Sequence, residues 1–276
     1  MKFDKILPNP RQTSLYRNLE AIDHKGQKIT APIIHERPLT LFLNSQEIVT
    51  LMTIGEHMDY LALGYLFNQN MLQSSDEITN IDYDEDIETI VVRTNTETDF
   101  ERKMKRKIKT SGCGQGTIFG DLIETIEDQV LKDNSTIKAS TLYPLLKKIN
   151  MTPRLYLETG AIHGCVLCQG EEILHYVEDV GRHNAVDKIA GFMFKNNIDP
   201  ADKYFYTTGR LTSEMVIKTV KMGIPILISR SGFTAWAVEL AKAANLTLIG
   251  RARGKRFVTL SGFDRIIYDA PLTNKE

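Results

Sequence analysis

Three segments of this chain run from β-forming residues, through a loop carrying an arginine, into residues with helical spacing. They are Glu178 to Asn184 (EDVGRHN), Thr207 to Ser213 (TTGRLTS) and Ser229 to Thr234 (SRSGFT). Strand and helix patterns alternate regularly from residue 154 to residue 250, which implies right-handed crossovers and a parallel section of sheet. If the strands are parallel neighbours, Arg182, Arg210 and Arg230 share one edge of that sheet. Helix N-termini turn their free N–H groups toward the same edge, where open α/β sheets bind ligands. The expected ligand is a large polyanion, most naturally a nucleotide or another pyrophosphate compound.

The periodicity gives an outline of the elements. Residues 1–30 are polar, with Pro8 and Pro10, and read as a lead-in. Alternating residues from Arg37 to Thr53 are broken by Asn44-Ser45 and predict a hairpin. Residues 57–72 have helical spacing, and residues 89–92 (TIVV) are a short strand. Strands over 154–168 and 171–180 meet at Gln169-Gly170. Then follow helix 183–195, strand 204–208, helix 213–222, strand 224–229, helix 234–244 and strand 246–250, with Gly223 and Asn245 as helix stops. The expected architecture is a mixed α/β sheet with helices on both faces, preceded by a smaller N-terminal α/β domain. The boundary falls near residue 108, giving domains 1–108 and 109–276.

Composition excludes several classes. A net charge of −1 argues against general nucleic-acid binding. No apolar run reaches the roughly 20 residues that span a bilayer. The N-terminus MKFDKILPNP lacks the apolar core of a secretory signal. Three cysteines in a chain of 276 residues do not suggest a disulfide framework, so the expected setting is a reducing cytoplasm.

Cys113 is the most suggestive single residue. It lies in a glycine-rich loop (TSGCGQG, 110–116) just after six basic side chains between Arg102 and Lys109. Positive charge lowers a thiol's pKa, and small neighbours leave the sulfur accessible, as a group carrier requires. A surface cysteine beside a solvated basic run is the plainer reading. A helix follows over 118–130. Cys165 and Cys168 form a Cys-x-x-Cys, but two ligands do not make a zinc site, even if His163 and His175 were close. They read as small core residues, and no metal site is expected. Glu178, Asp179, Arg182 and His183 are more polar than helix capping requires, which points to a site. Residues 251–257 (RARGKRF) read as a basic turn after the last parallel strand. Its cations suit phosphate oxygens and Phe257 suits a flat ring; an exposed turn is the alternative. No dinucleotide-type glycine fingerprint and no P-loop are present.

These residues together resemble the FdhD-type formate dehydrogenase accessory sulfurtransferases, from about Ile34 to Ile267. The strongest stretch is Glu178 to Lys188 (EDVGRHNAVDK). Gly209 to Met215 (GRLTSEM), Ile224 to Ser231 (IPILISRS) and Leu61 to Leu66 (LALGYL) match as well. The resemblance implies a cytidine-deaminase-like larger domain, usually in a homodimer. It implies a carrier that takes sulfur from a cysteine desulfurase as a persulfide. The sulfur passes to the molybdenum (or tungsten) bis-guanine-dinucleotide cofactor of formate dehydrogenase, with GDP as a partial mimic. The carrier cysteine maps onto Cys113. The cofactor-binding stretch maps onto Ala252, Arg253, Gly254, Lys255, Arg256 and Phe257, beside Arg182, His183, Arg210, Arg230 and Ser231. Many relatives have a second loop cysteine where this chain has Gly116, and one persulfide suffices chemically. A chaperone that binds the cofactor without moving sulfur is the alternative.

Overall fold

A computed structural model describes residues 15–95, 126, 129–132, 135–152 and 155–270. β1 (Tyr16–Ile22) and β2 (Lys28–Ile34) form an antiparallel ribbon where the sequence suggests a polar lead-in. Most ribbon side chains are exposed, so burial imposes no alternation that could betray the strands. Only its root is anchored: Leu15, Tyr16 and Ile34 pack with Ile54, Leu155 and Ile162.

β3 (Arg37–Leu43) and β4 (Gln46–Thr53) form the expected hairpin. Asn44 turns it at φ 54°, a left-handed conformation that asparagine tolerates. After α1 (Met58–Asn68) come β5 (Ile78–Asp84) and β6 (Thr89–Thr94), giving a sheet of order β4-β3-β6-β5. The sequence does not predict β5 (ITNIDYD), because it is an edge strand with five of its seven residues exposed. α1 buries Leu61 and Leu66 with Leu39, Leu41, Ile90 and Val92 of the sheet. Its other side crosses α4 (Arg182–Lys195) on two glycines. A Cβ on Gly64 would lie 1.7 Å from the Asp187 carbonyl oxygen, and one on Gly191 would lie 1.9 Å from that of Tyr60. Only glycine lets the two backbones approach this closely.

The larger sheet has the order β13-β12-β11-β10-β8-β9. It comprises β8 (His163–Gln169), β9 (Glu172–Asp179), β10 (Tyr204–Thr207), β11 (Ile226–Ser229), β12 (Thr247–Arg253) and β13 (Arg256–Ser261). β10, β11 and β12 are parallel neighbours, while β8 and β13 pair antiparallel. Alternate residues point to two cores. Cys165, Leu167, Phe205, Leu227 and Leu248 face α4, α5 (Ser213–Lys221) and α6 (Ala235–Ala243). Val166, Cys168, Tyr204, Tyr206, Ile226, Ile228 and Ile249 face α2 (Ala139–Met151). Helices therefore cover both faces, as expected. A short parallel pair, β7 (Ile137–Lys138) with β14 (Ile266–Ile267), closes the second core.

Two expectations need correction. The strand expected from Arg154 begins only at His163, because Leu155–Thr159 is a short helix, α3, stopped by Gly160 at φ 68°. β12 runs on through the segment read as a basic turn, and the turn itself sits at Gly254-Lys255 between β12 and β13. The other strands and helices of this half lie within a few residues of expectation. Gly223 (φ 76°) and Asn245 (φ 54°) follow the ends of α5 and α6 as helix stops. The residue-108 boundary, the 102–109 basic run, Cys113 and its loop, and nearly all of helix 118–130 lie outside the described residues. No described helix is long and apolar enough to cross a membrane.

Candidate functional site

The register places the three arginine loops at one edge. β9 is not a neighbour of β10, since β8 lies between them. The two intervening antiparallel pairings nevertheless make β9 parallel to β10, and Asp179 and Thr207 end on the same side. Hydrogen bonds then join the loops into one rim. Ser229 Oγ donates to Gly209 O (2.6 Å), Leu211 N to Gly232 O (2.9 Å), Thr234 N to Leu211 O (3.0 Å) and Arg251 N to Ser231 O (2.7 Å). Gly209 also closes against Arg182: a Cβ there would lie 3.1 Å from the Arg182 Cβ.

The rim has two concavities. One, of about 500 Å³, is walled on one side by β4 (Val49 to Met52) and on the other by His163, Arg182, His183 and Glu214. His183 Nε2 lies 2.7 Å from Glu214 Oε2. Burial alone would raise the Glu214 pKa, but the hydrogen bond to His183 and the charges of His183, Lys218 and Arg182 outweigh it and hold the carboxyl low. The second concavity, of about 320 Å³, is lined by Tyr156, Arg230, Ala252 and Arg253. The Arg230 guanidinium sits 5.5 Å from the centre of the Tyr156 ring, a cation–π contact that fixes its position. Ser231 is half-buried and its N donates to Ser229 Oγ (2.9 Å).

The 252–257 stretch divides. Ala252 and Arg253 reach the second concavity, with the Ala252 side chain in the core. Gly254, Lys255 and Arg256 are exposed in and beyond the hairpin turn. Phe257 does stack on a flat ring, but it is the chain's own Tyr268, 6.1 Å away between centroids, with Tyr143 tilted against it at 6.4 Å.

Beneath the rim lies a buried polar layer. Lys188, 0% exposed, pairs with Asp179 at 2.6 Å and donates to Glu178 O at 3.1 Å. Asp179 also accepts from Thr53 Oγ1 (2.5 Å), Asn184 Nδ2 (3.0 Å) and Gly181 N (3.2 Å). Lys218 pairs with Asp187 at 2.7 Å, and Asn68 Nδ2 donates to the same carboxylate at 2.7 Å. Thr53 and Asn68 come from the N-terminal half, so this layer fixes the 181–184 turn to both halves of the molecule. Glu178 accepts from Tyr176 OH (2.8 Å) and Tyr156 N (3.2 Å), and burial raises its pKa. Glu178 and Asp179, read from the sequence as part of a site, thus support the rim from below. Nothing in the sequence singles out Glu214, which stands one helical turn from Lys218, or marks His163 as a rim residue, because only the register reveals its place at the head of β8.

Cys165 and Cys168 are both 0% exposed, on opposite faces of β8. Burial pushes the Cys165 thiol up to about 12 and the Cys168 thiol higher still. Neither can act as a thiolate near neutrality. Among the described residues no group of three or more His, Cys, Asp or Glu could hold a metal ion.

Residues 34–267 match the model of the FdhD/NarQ family. A sulfur carrier protein FdhD from Listeria innocua is 33% identical over 87% of this chain and 93% of that protein. Its namesake from Bacillus subtilis is 30% identical over 87% of this chain and 92% of its own length. A crystal structure described as a candidate formate dehydrogenase accessory protein from Desulfotalea psychrophila superposes with a TM-score of 0.75. It is 25% identical and is covered over 99% of its chain and 92% of this one. The chain whose arginine loops build this rim belongs to the FdhD/NarQ family.

Proposed function

We propose that this protein is a sulfur carrier serving formate dehydrogenase. It accepts sulfur from a cysteine desulfurase on Cys113 and hands it to a molybdenum (or tungsten) bis-guanine-dinucleotide cofactor held at the rim. One observation carries the reading: in a family whose named relatives are sulfur carriers, two of the three cysteines are sealed in opposite cores with raised pKa values. That leaves Cys113 to do the chemistry. Its thiolate attacks the outer sulfur of the donor's persulfide, and the donor cysteine leaves as a thiolate. On delivery an electron pair of the acceptor forms the new bond to the outer sulfur, the S–S bond breaks, and its electron pair returns to Cys113 as thiolate.

Chain length permits the transfer. Cys113 is 18 residues from Asn95 and 13 from Ile126. At about 3.3 Å per extended residue these tethers span up to about 59 and 43 Å. The longest strand of the sheet, β9 at eight residues, covers only about 26 Å. The cofactor, as substrate, is a polyanion, and the rim offers it Arg182, Arg210, Arg230 and Arg253. Ser231 and His183 add polar contacts, and Lys255 and Arg256 lie just beyond. GDP serves as a partial mimic. The larger unit is read as cytidine-deaminase-like, beginning near residue 109. The working form is a cytoplasmic homodimer.

The test is mass spectrometry after incubation with a cysteine desulfurase and cysteine. Persulfidation adds about 32 Da, and it should map to Cys113. Cys113→Ala should keep the wild-type melting curve and lose activation of formate dehydrogenase. Full activation by that variant would mean that the protein is a cofactor-binding chaperone instead.

A further inference from the structure

His163 opens β8, the strand between β9 and β10, so it stands between the strand ends that lead into the Arg182 and Arg210 loops. Arg182 and His183 of α4 line the same concavity as His163, and the charge of Arg210 also acts on its ring. It lines the 500 Å³ concavity, and its Nδ1 lies 3.3 Å from Thr208 Oγ1. That hydroxyl already accepts from Gly164 N at 3.0 Å and can serve the imidazole as donor or acceptor. The ring can therefore gain a proton without losing its partner.

We propose that His163 is the proton-linked member of the rim: a pyrophosphate seated against Arg182 and Arg210 makes His163 take up one proton from solution, so binding tightens as pH falls. The inference rests on the rim being the polyanion site proposed above.

The charges around His163 decide the sign. Asp179, its cross-strand partner, is held by Lys188, Thr53 and Asn184. Asp187 is held by Lys218 and Asn68, and Glu214 by His183. Glu36 lines the same concavity but is exposed. The net field at the ring is positive. Burial first, and then Arg182, His183 and Arg210, lower its pKa from 6.5. Without an anion the rim therefore favours the neutral ring. An anion that offsets the two arginines removes their opposition and adds an opposite charge, so the pKa rises. Uptake is confined to the interval between the free and bound values. It vanishes well above both.

A probe without its own proton is needed, because the terminal phosphate of GDP titrates near neutrality. Diguanosine diphosphate, whose internal pyrophosphate does not, is suitable. Calorimetry at pH 6.5 in two buffers of different ionisation enthalpy reads the proton count directly. For the wild type we expect measurable proton uptake, at most one per site, at pH 6.5 and none at pH 8.5. Affinity should fall severalfold between the two, where full linkage would give up to about tenfold per pH unit. His163→Gln keeps a polar side chain. Whatever its affinity, it should bind without proton uptake and equally well at pH 6.5 and pH 8.5. Wild-type binding without uptake, or uptake that persists in His163→Gln, overturns the role of His163 and leaves the rim proposal standing. No binding by either protein at either pH overturns both.

Discussion

The rim and the polar layer beneath it are both rich in charge, yet they are built on opposite terms. In the layer, Lys188 and Asp179 are fully buried and each charge has a partner within 3 Å. On the rim, Arg210 is exposed and Arg182, His183 and Arg230 are half-buried, close enough to water to exchange it for a ligand. A buried pair gains little over an apolar one of the same shape, but losing a single partner leaves a charge with no escape. An exposed cation costs the fold almost nothing and is available for binding. Stability and ligand affinity should therefore separate along this line.

The largest effect should come from breaking the layer. Lys188→Met leaves the Asp179 carboxylate buried without its counter-charge, which should cost about 3–5 kcal/mol. Denaturant midpoints at pH 7 measure it. Pairing the change with Asp179→Leu should recover part of the loss. A single variant as stable as wild type would show that the layer is not what holds the 181–184 turn.

An intermediate effect is expected at His175, which marks the layer's apolar border. Its ring stacks on Phe192 at 4.0 Å, and neither ring nitrogen finds a hydrogen-bond partner among the described residues. Burial first, then His57, lowers its pKa to about 3. The folded state keeps the ring neutral while the unfolded chain protonates near 6.5. Its contribution is thus intact above pH 6.5 and is lost as pH falls toward 3. Between pH 6.5 and 5 that one proton costs about 2 kcal/mol. His175→Phe should remove that slope, and an unchanged stability–pH curve would count against a neutral buried imidazole.

The same line divides what the sequence reveals from what it hides. The strand–loop–helix repeats show the rim because each carries a local signature: an apolar run, a loop with an arginine, and a helical spacing, which in two of the three stops at Gly223 or Asn245. The Asn44-Ser45 hairpin is legible for the same reason. The layer is not, because its partners are far apart in the chain: Thr53 meets Asp179, and Asn68 meets Asp187, across 126 and 119 residues. β1, β2 and β5 escape notice because exposed strands need no alternation. The close crossing of α1 and α4 rests on Gly64 and Gly191, and one glycine inside a helical pattern says nothing about which helix approaches it. Cys165 and Cys168 are correctly read as core residues, since residues three apart on a strand face opposite sides.

The smallest effect on the fold, and the sharpest on binding, is expected at Arg210. It is exposed, and no described hydrogen bond or ion pair of its own ties it to the rim. Arg210→Gln should shift stability by no more than about 0.5 kcal/mol, the range of surface changes. A charge-assisted hydrogen bond to a phosphate oxygen contributes about 1.5–3 kcal/mol, so affinity for diguanosine diphosphate at pH 8.5 should drop about 10- to 100-fold. The same change also removes one of the cations that keep His163 neutral, so the pKa of His163 in the free protein should rise. Less proton uptake should then accompany binding at pH 6.5. Weaker affinity with reduced uptake would place Arg210 and His163 in one electrostatic unit. Weaker affinity with undiminished uptake would leave Arg182 as the dominant neighbour of His163. A variant that loses stability instead would show that the rim, too, is part of the scaffold.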